Sequence, residues 1–515
     1  MFRTVLVANR GEIALRVIRT LRELGVRSVA VYSDPDVDSP HVEAADEAVR
    51  LGPAPARDSY LDAARVLEAA HATGAEAIHP GYGFLSENAT FARRCAEAGV
   101  VFVGPSPQAL EATGDKARAR ETAASLGVPT VPASAPSGDL KALARVAREL
   151  EPPYLVKAAA GGGGKGMRLV RSTEGLPEAL ASAAREARAA FGDATLLVER
   201  YVHPARHVEV QVLGDGGGGV AALGERECSL QRRYQKIVEE APSAALEEDT
   251  RTAMLDAARR LAGSVRYAGA GTVEFLLAAD GSFFFLEMNA RLQVEHPVTE
   301  LVTGLDLVRL QLEIACGEVS DLPALEVPAR GHAIEARLYA EDPTAGFLPS
   351  SGTIGLLRWP QGPGVRVDAG IQQGQRVGTD YDPLLAKLVA WAPDREHARR
   401  RLVRALEETA LLGLVTNQGF LLELLESDPF RSGRTFTHTV EGSADQPGMA
   451  AHAGASAMPV ELALAGGALA LRMGASAPSG PATGDAGAGF EVDGASVRRE
   501  SSPWRTLGSW RLGGA

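Results

Sequence analysis

The chain has 515 residues, of which 45% are hydrophobic and 23% charged, and its net charge is −12. This length predicts about three domains, and the acidic balance argues against a nucleic-acid-binding protein, which is basic overall. Without a run of about 18 apolar residues, no membrane span is expected. Three cysteines outside any C-x-x-C pair indicate a reducing, cytoplasmic location, and the strand predicted at Thr4–Ala8 leaves no room for a targeting peptide.

Residues 1–113 alternate between predicted strands and helices. After the strand at Thr4–Ala8, a helix carries Ile13, Val17 and Leu21 on one face, at the helical spacing of 3.6 residues. Such alternation predicts a doubly wound parallel sheet. The further predicted elements are strand 28–32, helix 59–73, strand 75–79, a helix that starts at Asn88, and strand 100–103.

From residue 114 the pattern becomes α+β with antiparallel strands. Residues 207–212 alternate strictly, which predicts a strand with one polar face, and 272–277 with 283–288 predicts a hairpin. Beyond 445 the chain is rich in Gly, Ala, Ser and Pro, which indicates a linker and a small β-structured remnant. The other predicted elements are helix 115–126, strand 154–157 and helix 395–408.

The basic residues are unevenly divided, because 47 are Arg and only 6 are Lys. Since the sequence favours Arg wherever either suffices, a Lys is a candidate for a place where a compact ammonium is needed and a guanidinium does not fit. For Lys141, in a helical stretch of mixed polarity, chance is the better explanation. The six are Lys116, Lys141, Lys157, Lys165, Lys236 and Lys387.

The strongest local motif is Lys157–Met167, in which four consecutive glycines follow a predicted strand and lie between two lysines. Glycines let the backbone approach a ligand, and successive N–H groups form an anion nest, so the motif predicts a phosphate site. It is not a Walker A loop, because Ala159 and Gly166 stand where that loop has Gly and Ser or Thr. A flexible linker is the alternative, although linkers rarely join two buried strands.

Two glutamates on the predicted hairpin form an acidic pair. Glu274 and Glu287 point to the same face if the two strands pair, and Asn289 follows closely. Two carboxylates and an amide carbonyl suit Mg²⁺, which completes its shell with phosphate oxygens and water. A solvated strand face is the alternative, and the phosphate motif upstream favours the metal.

A charged loop, Asn289–Glu300, leaves directly from the proposed metal ligands. Arg291 can clamp a small oxyanion with both of its terminal nitrogens, and Glu295 can accept a proton beside it.

Three further stretches carry candidate residues. His79–Asn88 follows a parallel strand, where ligands bind in such sheets. Glu227–Lys236 is a basic run. Glu335–Asp342 contains Arg337, and for a lone Arg in a mostly apolar strand a structural ion pair is the more frequent role.

Taken together, these motifs resemble the biotin carboxylase component of biotin-dependent acyl-CoA carboxylases, an ATP-grasp enzyme. The resemblance covers residues 1–445 and rests on six motifs in register. They are Ala8–Ala14, His79–Gly83, Gly114–Lys116, the glycine loop, Glu287–Pro297 and Glu335–Asp342. It implies an N-terminal domain (1–113), an ATP-grasp domain (114–330, with a mobile lid at about 131–203), a C-terminal domain (331–445) and a tail (446–515).

The implied reaction joins ATP, bicarbonate and carrier-bound biotin, with Mg²⁺ or Mn²⁺, to give carboxybiotin, ADP and phosphate through carboxyphosphate. By resemblance, Glu295 is the general base, Arg337 stabilises the biotin enolate and Tyr82 gates the biotin pocket. The bicarbonate ligands are Lys236, Arg291, Gln293 and Val294, and the metal ligands are Glu274, Glu287 and Asn289. The ATP-binding residues are Lys116, Lys157, Gly161, Gly162, Gly163, Gly164, Gly166, Met167, Glu199, Val202, His207 and Gln231, with Lys165 in the lid.

Two departures from the family pattern bear on function. Tyr234 stands where many members have His, which concerns a contact near the ribose. No lysine follows Lys387, so we expect the biotin carrier to be another polypeptide or a missing extension. The resemblance also implies a carboxyltransferase partner, which selects acetyl-, propionyl- or methylcrotonyl-CoA, and a homodimer or larger hetero-complex.

Two other functions remain open at this level. Another ATP-grasp carboxylate–amine or carboxylate–thiol ligase would share the lid and the metal carboxylates but would not need Arg337 or the Arg291–Glu295 cluster. A non-catalytic nucleotide-binding scaffold would be expected to lose a metal ligand or the base, whereas Glu274, Glu287 and Glu295 are all present.

Overall fold

The computed structural model describes residues 1–159, 167–319, 321–442 and 448–449. Three sequence predictions, the glycines of 161–166, Lys165 and the β remnant beyond 450, lie outside the described residues. Within these ranges, none of the helices combines the length and the apolar character that a membrane span requires.

The N-terminal part is a parallel sheet with helices packed on it. Its elements are β1 (Thr4–Val7), α1 (Gly11–Glu23), β2 (Arg27–Ser33), α2 (Pro40–Ala44), β3 (Glu47–Gly52), α3 (Ala63–Thr73), β4 (Ala77–His79), α4 (Ala89–Glu97), β5 (Val101–Phe102) and α5 (Pro107–Gly114). The strand order is β3-β2-β1-β4-β5, and every pair is parallel. On α1, Ile13, Val17 and Leu21 pack against the strand residues Val5 and Val7. The predicted doubly wound sheet is confirmed.

Two features of this part differ from the sequence prediction. α2 and β3 are absent from the predicted elements, because β3 is an edge strand with mostly half-buried side chains and no apolar run. α3 begins at Ala63 rather than at 59, since the Asp62 carboxylate accepts the N–H groups of Ala64 and Arg65 and so caps the helix there.

A small three-stranded sheet follows. Its segment comprises α6 (Lys116–Ser125), α7 (Leu140–Ala147), β6 (Tyr154–Ala158), β7 (Arg168–Val170), α8 (Leu176–Phe191) and β8 (Leu196–Arg200). The strands run in the order β7-β6-β8 and are antiparallel. Tyr154, Val156 and Val198 form a core with Leu143 and Leu180 from the helices. β6 ends at Ala158, shortly before the glycines of the motif in the sequence.

The largest sheet has eight antiparallel strands. It is built from β9 (Ala205–Asp215), β10 (Val220–Arg232), β11 (Gln235–Ala241), α9 (Glu248–Ser264), β12 (Ala268–Ala278), β13 (Phe283–Asn289), α10 (His296–Thr303), α11 (Leu307–Ala315) and β14 (His332–Tyr339). Two later strands join it, so that the order is β13-β12-β9-β10-β11-β14-β21-β19. The sheet therefore continues across residue 330.

The remaining elements complete the last described part. They are β15 (Glu341–Asp342), β16 (Leu348–Pro349), β17 (Gly352–Thr353), β18 (Leu356–Arg358), β19 (Val365–Ala369), β20 (Arg376–Val377), β21 (Leu384–Ala392), α12 (Arg395–Glu408), β22 (Ala410–Leu412), α13 (Gln418–Glu426) and α14 (Asp428–Arg431). α12 buries Ala398, Leu402 and Leu406 in the same apolar core as Leu388 and Ala390 of β21. The predicted long helix at 395–408 thus lies on the end of the large sheet.

The polar face predicted for 207–212 is not solvated. His207, Glu209 and Gln211 of β9 are all buried, and Glu209 and Gln211 are 0% exposed. Buried charges require partners, and these side chains find them in a charged cluster on one face of the large sheet.

Candidate active site

Lys236 of β11 lies at the centre of this cluster. Its Nζ donates to Glu209 Oε2 at 2.5 Å, Glu274 Oε1 at 2.8 Å and Glu295 Oε1 at 2.7 Å. Glu209 and Glu274 are direct cross-strand neighbours on β9 and β12, so their side chains share a face. Burial lowers the pKa of Lys236, but the three carboxylates outweigh it and hold that pKa well above its usual value. Lys236 is therefore a charged ammonium.

Glu295 lies immediately before α10 and is held by two cations. Its Oε1 accepts from Lys236, and its Oε2 accepts from Arg337 Nη2 at 2.9 Å. Burial raises the pKa of this carboxyl, yet Lys236 and Arg337 outweigh it and hold the pKa well below its usual range. Glu295 is thus ionised, the state that a proton acceptor requires.

The position of Glu295 follows from the packing of α10. Val298 and Val302 lie on one face of this helix and pack against Ala333 and Val389 of the large sheet. Since the apolar face fixes the helix on the sheet, the residue that precedes the helix projects into the charged cluster.

Arg337 of β14 joins Glu295 to a second buried acid. Its Nε donates to Glu239 Oε1 at 2.6 Å. Glu239 lies directly opposite Glu335 across β11 and β14, and both carboxyls are 0% exposed. Neither oxygen of Glu335 has a hydrogen-bond partner among the described residues. Burial raises the pKa of Glu239 to about 7 and that of Glu335 well above its usual value, so both carboxyls hold their protons more tightly than an exposed glutamate does.

Arg226 of β10 is a buried cation that holds several side chains of the cluster in place. This guanidinium is 0% exposed. Its Nε donates to Glu209 Oε1 at 2.5 Å, and its terminal nitrogens donate to Gln211 Oε1 at 2.7 Å, Thr299 Oγ1 at 2.8 Å and Thr272 Oγ1 at 3.1 Å. Arg226 therefore fixes Glu209 and ties α10 to the sheet.

The charged loop reaches the same cluster. Asn289 Nδ2 and Gln293 Nε2 donate to Glu274 Oε1 at 2.8 and 3.2 Å. Arg291 Nη1 donates to Gln293 Oε1 at 3.1 Å, and its Nε donates to Glu87 Oε2 at 3.0 Å. Glu87 comes from the stretch that follows β4, so the N-terminal segment contributes to the position of Arg291.

Glu274 and Glu287 are direct cross-strand neighbours on β12 and β13, as the hairpin prediction requires. Their carboxylates share a face, and with the Asn289 carbonyl they offer hard oxygen atoms that fit Mg²⁺ or Mn²⁺. Glu274 Oε2 also lies 3.0 Å from His207 Nε2, and Glu287 Oε2 lies 3.1 Å from Lys116 Nζ. The donor chemistry of these residues therefore suits a divalent cation.

The residues proposed to bind the nucleotide come from both the small sheet and the large sheet. Lys157 is ion-paired with Glu199 across β6 and β8, and Arg120 pairs with the same carboxylate. Gln231 is the cross-strand partner of Lys236. Met167 directly precedes β7, and Val202 lies between β8 and β9.

Tyr82 lies in the loop that follows β4. Its hydroxyl donates to Glu12 of α1, and its backbone carbonyl accepts from Asn9 Nδ2 at 2.7 Å. Glu12 in turn lies 3.1 Å from the ammonium of Lys387. The tyrosine predicted to gate the biotin pocket is thus held by a buried charge pair.

Several residues of the cluster were not predicted from the sequence. Glu209 has a weak signal, since it alternates with His207 on the polar face of its strand. Lys387 has a stronger one, because it is one of only six lysines. Arg226 and Glu239 have none, because their partners are distant in sequence and only the strand register brings them together.

Three family models match the chain. They are "Biotin carboxylase, N-terminal domain" over 1–110, "Carbamoyl-phosphate synthase L chain, ATP binding domain" over 115–323 and "Biotin carboxylase C-terminal domain" over 335–442. A biotin carboxylase from Nostoc sp. is 47% identical over 85% of this chain and 99% of its own length. The alpha subunit of mitochondrial methylcrotonoyl-CoA carboxylase from Oryza sativa is 50% identical over 85% of this chain and 60% of its own length.

Solved structures of biotin carboxylases are also similar to this chain. A biotin carboxylase complex from Campylobacter jejuni has a TM-score of 0.82 at 41% identity and covers 85% of this chain and 98% of its own. The biotin carboxylase domain dimer of the Hydrogenobacter thermophilus 2-oxoglutarate carboxylase, with MgADP and bicarbonate, has a TM-score of 0.83 at 44% identity and covers 89% and 100%.

The fold and the matches define a protein of the ATP-grasp class, with its ATP-binding domain over 115–323. The chain belongs to the biotin carboxylase family. It spans about 60% of the length of the methylcrotonoyl-CoA carboxylase subunits that it matches.

Proposed function

We propose that the chain carboxylates carrier-bound biotin with bicarbonate and ATP through carboxyphosphate, the first half-reaction of an acyl-CoA carboxylase. The observation that carries this proposal is Glu295, an ionised and fully buried carboxylate between the ammonium of Lys236 and the guanidinium of Arg337. A proton acceptor flanked by two cations suits a small anionic substrate that must lose a proton as it attacks.

In this proposal, Lys236, Arg291, Gln293 and Val294 bind bicarbonate beside Glu295. An oxygen of bicarbonate forms a bond to the γ-phosphorus of ATP, the bond to ADP breaks, and Glu295 accepts the bicarbonate proton. Because bicarbonate is a weak nucleophile, the protein contributes chiefly position and charge neutralisation.

The nucleotide lies on the side of the small sheet. Lys116 and Lys157 hold its phosphates together with the glycines 161–164 and 166, whose part in the proposal rests on the sequence. Glu274, Glu287 and Asn289 hold Mg²⁺ or Mn²⁺, which neutralises phosphate charge when bound. The remaining proposed contacts are Met167, Glu199, Val202, His207 and Gln231.

Biotin is proposed to enter between Tyr82 and Arg337. Arg337 stabilises the oxyanion that develops on the ureido group, which requires a fixed cation in a buried site. In the structure this guanidinium is engaged by Glu239 and Glu295, so its charge is already oriented.

The assembly around this half-reaction is also part of the proposal. We assign a separate carrier protein or domain, a carboxyltransferase subunit and a homodimer or larger complex as partners. The domain limits are 1–113, 114–330, 331–445 and 446–515, the location is cytoplasmic, and the final acceptor is an acyl-CoA. Co-purification of the chain with its carrier and transferase identifies these partners.

The test is Glu295→Gln, which keeps the shape of the side chain and removes its basicity. We expect this variant to bind ATP like the wild type and to lose biotin-dependent ADP release at least about a hundredfold. Glu97→Gln, at an exposed position on α4, is the matched control and should retain full activity. Full activity of Glu295→Gln would remove the base from the proposal, and wild-type ATP cleavage that ignores bicarbonate and biotin would refute the function.

A further inference from the structure

Lys387 is a buried lysine that the proposed reaction does not use. It lies in the middle of β21, directly opposite Arg337 on β14 and Asp368 on β19, and is 0% exposed. Its Nζ donates to the backbone carbonyl oxygen of Val294 at 2.9 Å. It also lies 3.1 Å from Glu12 Oε2 and 3.8 Å from Asp368 Oδ2.

An ammonium at such a position is costly, because removing a charge from water takes several kcal/mol unless partners compensate it. Glu12 and Asp368 supply this compensation. Asp368 is itself fixed by Arg366, whose Nη2 lies 2.7 Å from its Oδ2. The site is therefore built around a single compact cation, in a chain that otherwise uses Arg about eight times as often as Lys.

The bond to Val294 is what distinguishes this group from an ordinary buried ion pair. The Val294 carbonyl belongs to the peptide unit that leads into Glu295, so fixing that oxygen orients the backbone from which Glu295 projects. On the other side, Glu12 accepts the hydroxyl of Tyr82. One ammonium thus connects the tyrosine loop after β4, helix α1 and the loop that carries Gln293, Val294 and Glu295.

We propose that Lys387 is a positioning residue that fixes the Val294–Glu295 peptide for bicarbonate capture, with Glu12 and Asp368 as its counter-charges. This assignment rests on the proposed function, because it presumes that Gln293, Val294 and Glu295 handle bicarbonate. Lys387 acts through the loop and does not touch the reacting atoms. Arg cannot replace it, because its planar fork is longer and cannot place one nitrogen among the same three oxygens.

The test compares a charge-balanced variant with a control that carries the same chemical change. Lys387→Met combined with Glu12→Gln removes one cation and one anion. Neither member of this ion pair is therefore left buried without its counter-charge. Lys141→Met alters an exposed lysine on α7 and should behave like the wild type. The assay is bicarbonate-dependent ATP cleavage, measured with free biotin at varied bicarbonate and at varied ATP.

We expect the double variant to raise the KM for bicarbonate about tenfold or more, as loss of a charge-assisted hydrogen bond implies, with the KM for ATP within about twofold. Lys387→Arg keeps the buried charge and should show the same selective rise, and it decides the matter if the double variant does not fold. Folding is checked by thermal melting.

A folded double variant, or Lys387→Arg, with a wild-type KM for bicarbonate would overturn the proposal. An equal rise in both KM values would also overturn it, because that result indicates general damage to the site. Failure of the proposed function is recognised separately, since wild-type ATP cleavage would then not depend on bicarbonate before any variant is made.

Discussion

The two sides of the proposed site differ in how far the protein satisfies its own charges. On the side proposed to bind bicarbonate, Lys236 is 11% exposed and meets three carboxylates, and Glu295 is 0% exposed. On the side proposed to bind the nucleotide, Lys116 is 57% exposed and Glu287 34% exposed, and they meet at a single contact. The first side is an ordered network, in which some ion pairs within the protein must be exchanged for contacts with a ligand. The second presents side chains that a polyanion and its cation can engage at small cost.

This difference predicts that removing a cation from the buried side impairs folding as well as activity, because it leaves a buried carboxylate without compensation. The largest effect is expected for Arg226→Met, which leaves Glu209 buried with one of its two cations removed. Breaking such a pair costs about 3–5 kcal/mol of the free energy of unfolding, measured by urea denaturation. Adding Glu209→Gln should recover part of this loss. A loss below about 1 kcal/mol for Arg226→Met would show that the buried network is not a stability element.

The exposed side should respond in the opposite way. Lys116→Gln is expected to weaken ATP binding about tenfold, because one charge-assisted contact to phosphate is lost, while the melting temperature stays unchanged. Isothermal titration with ATP and Mg²⁺ measures the first quantity and calorimetry the second. Lys141→Gln, at another exposed lysine, is the control. If Lys116→Gln lowered the melting temperature as much as Arg226→Met does, the contrast between the two sides would be wrong.

The smallest effect concerns Glu335, whose pKa burial raises well above its usual value. Because the folded state holds this proton more tightly than the unfolded state, Glu335 makes stability fall as pH rises above the ordinary carboxyl range. Glu335→Gln resembles the protonated acid and removes this fall. Its gain in unfolding free energy over the wild type should therefore be larger at about pH 7.5 than at about pH 5. Urea titrations at both pH values measure it, with Glu97→Gln as control, and an equal difference at both would refute the raised pKa of Glu335.

Local sequence patterns predict the parts of this molecule that depend on neighbours along the chain. The alternation of strand and helix in 1–113 predicts the parallel sheet. The predicted hairpin puts Glu274 and Glu287 on the same face, and the structure places them directly opposite each other. The edge strand β3 escapes prediction because half-buried side chains show no apolar run.

The buried network depends instead on register between distant strands. Arg226 of β10 meets Glu209 of the neighbouring β9, 17 residues away. Arg337 meets Glu239 because β14 lies beside β11, and it meets Glu295 because α10 packs on the same sheet. No local pattern contains that information. The charged loop and the family resemblance both indicated Glu295, the resemblance gave Arg337 its proposed role, and the scarcity of lysine was the sequence signal for Lys387.

The continuity of the eight-stranded sheet across residue 330 has a consequence for engineering. A chain cut there would leave β11 as a bare edge with unpaired backbone groups, which invites association with other strands. The same cut would strip Glu295 of its guanidinium and Val294 of its ammonium, since both cations come from strands beyond the cut. Chimeras that exchange catalytic properties between relatives should therefore place their junctions outside this sheet and transfer it whole.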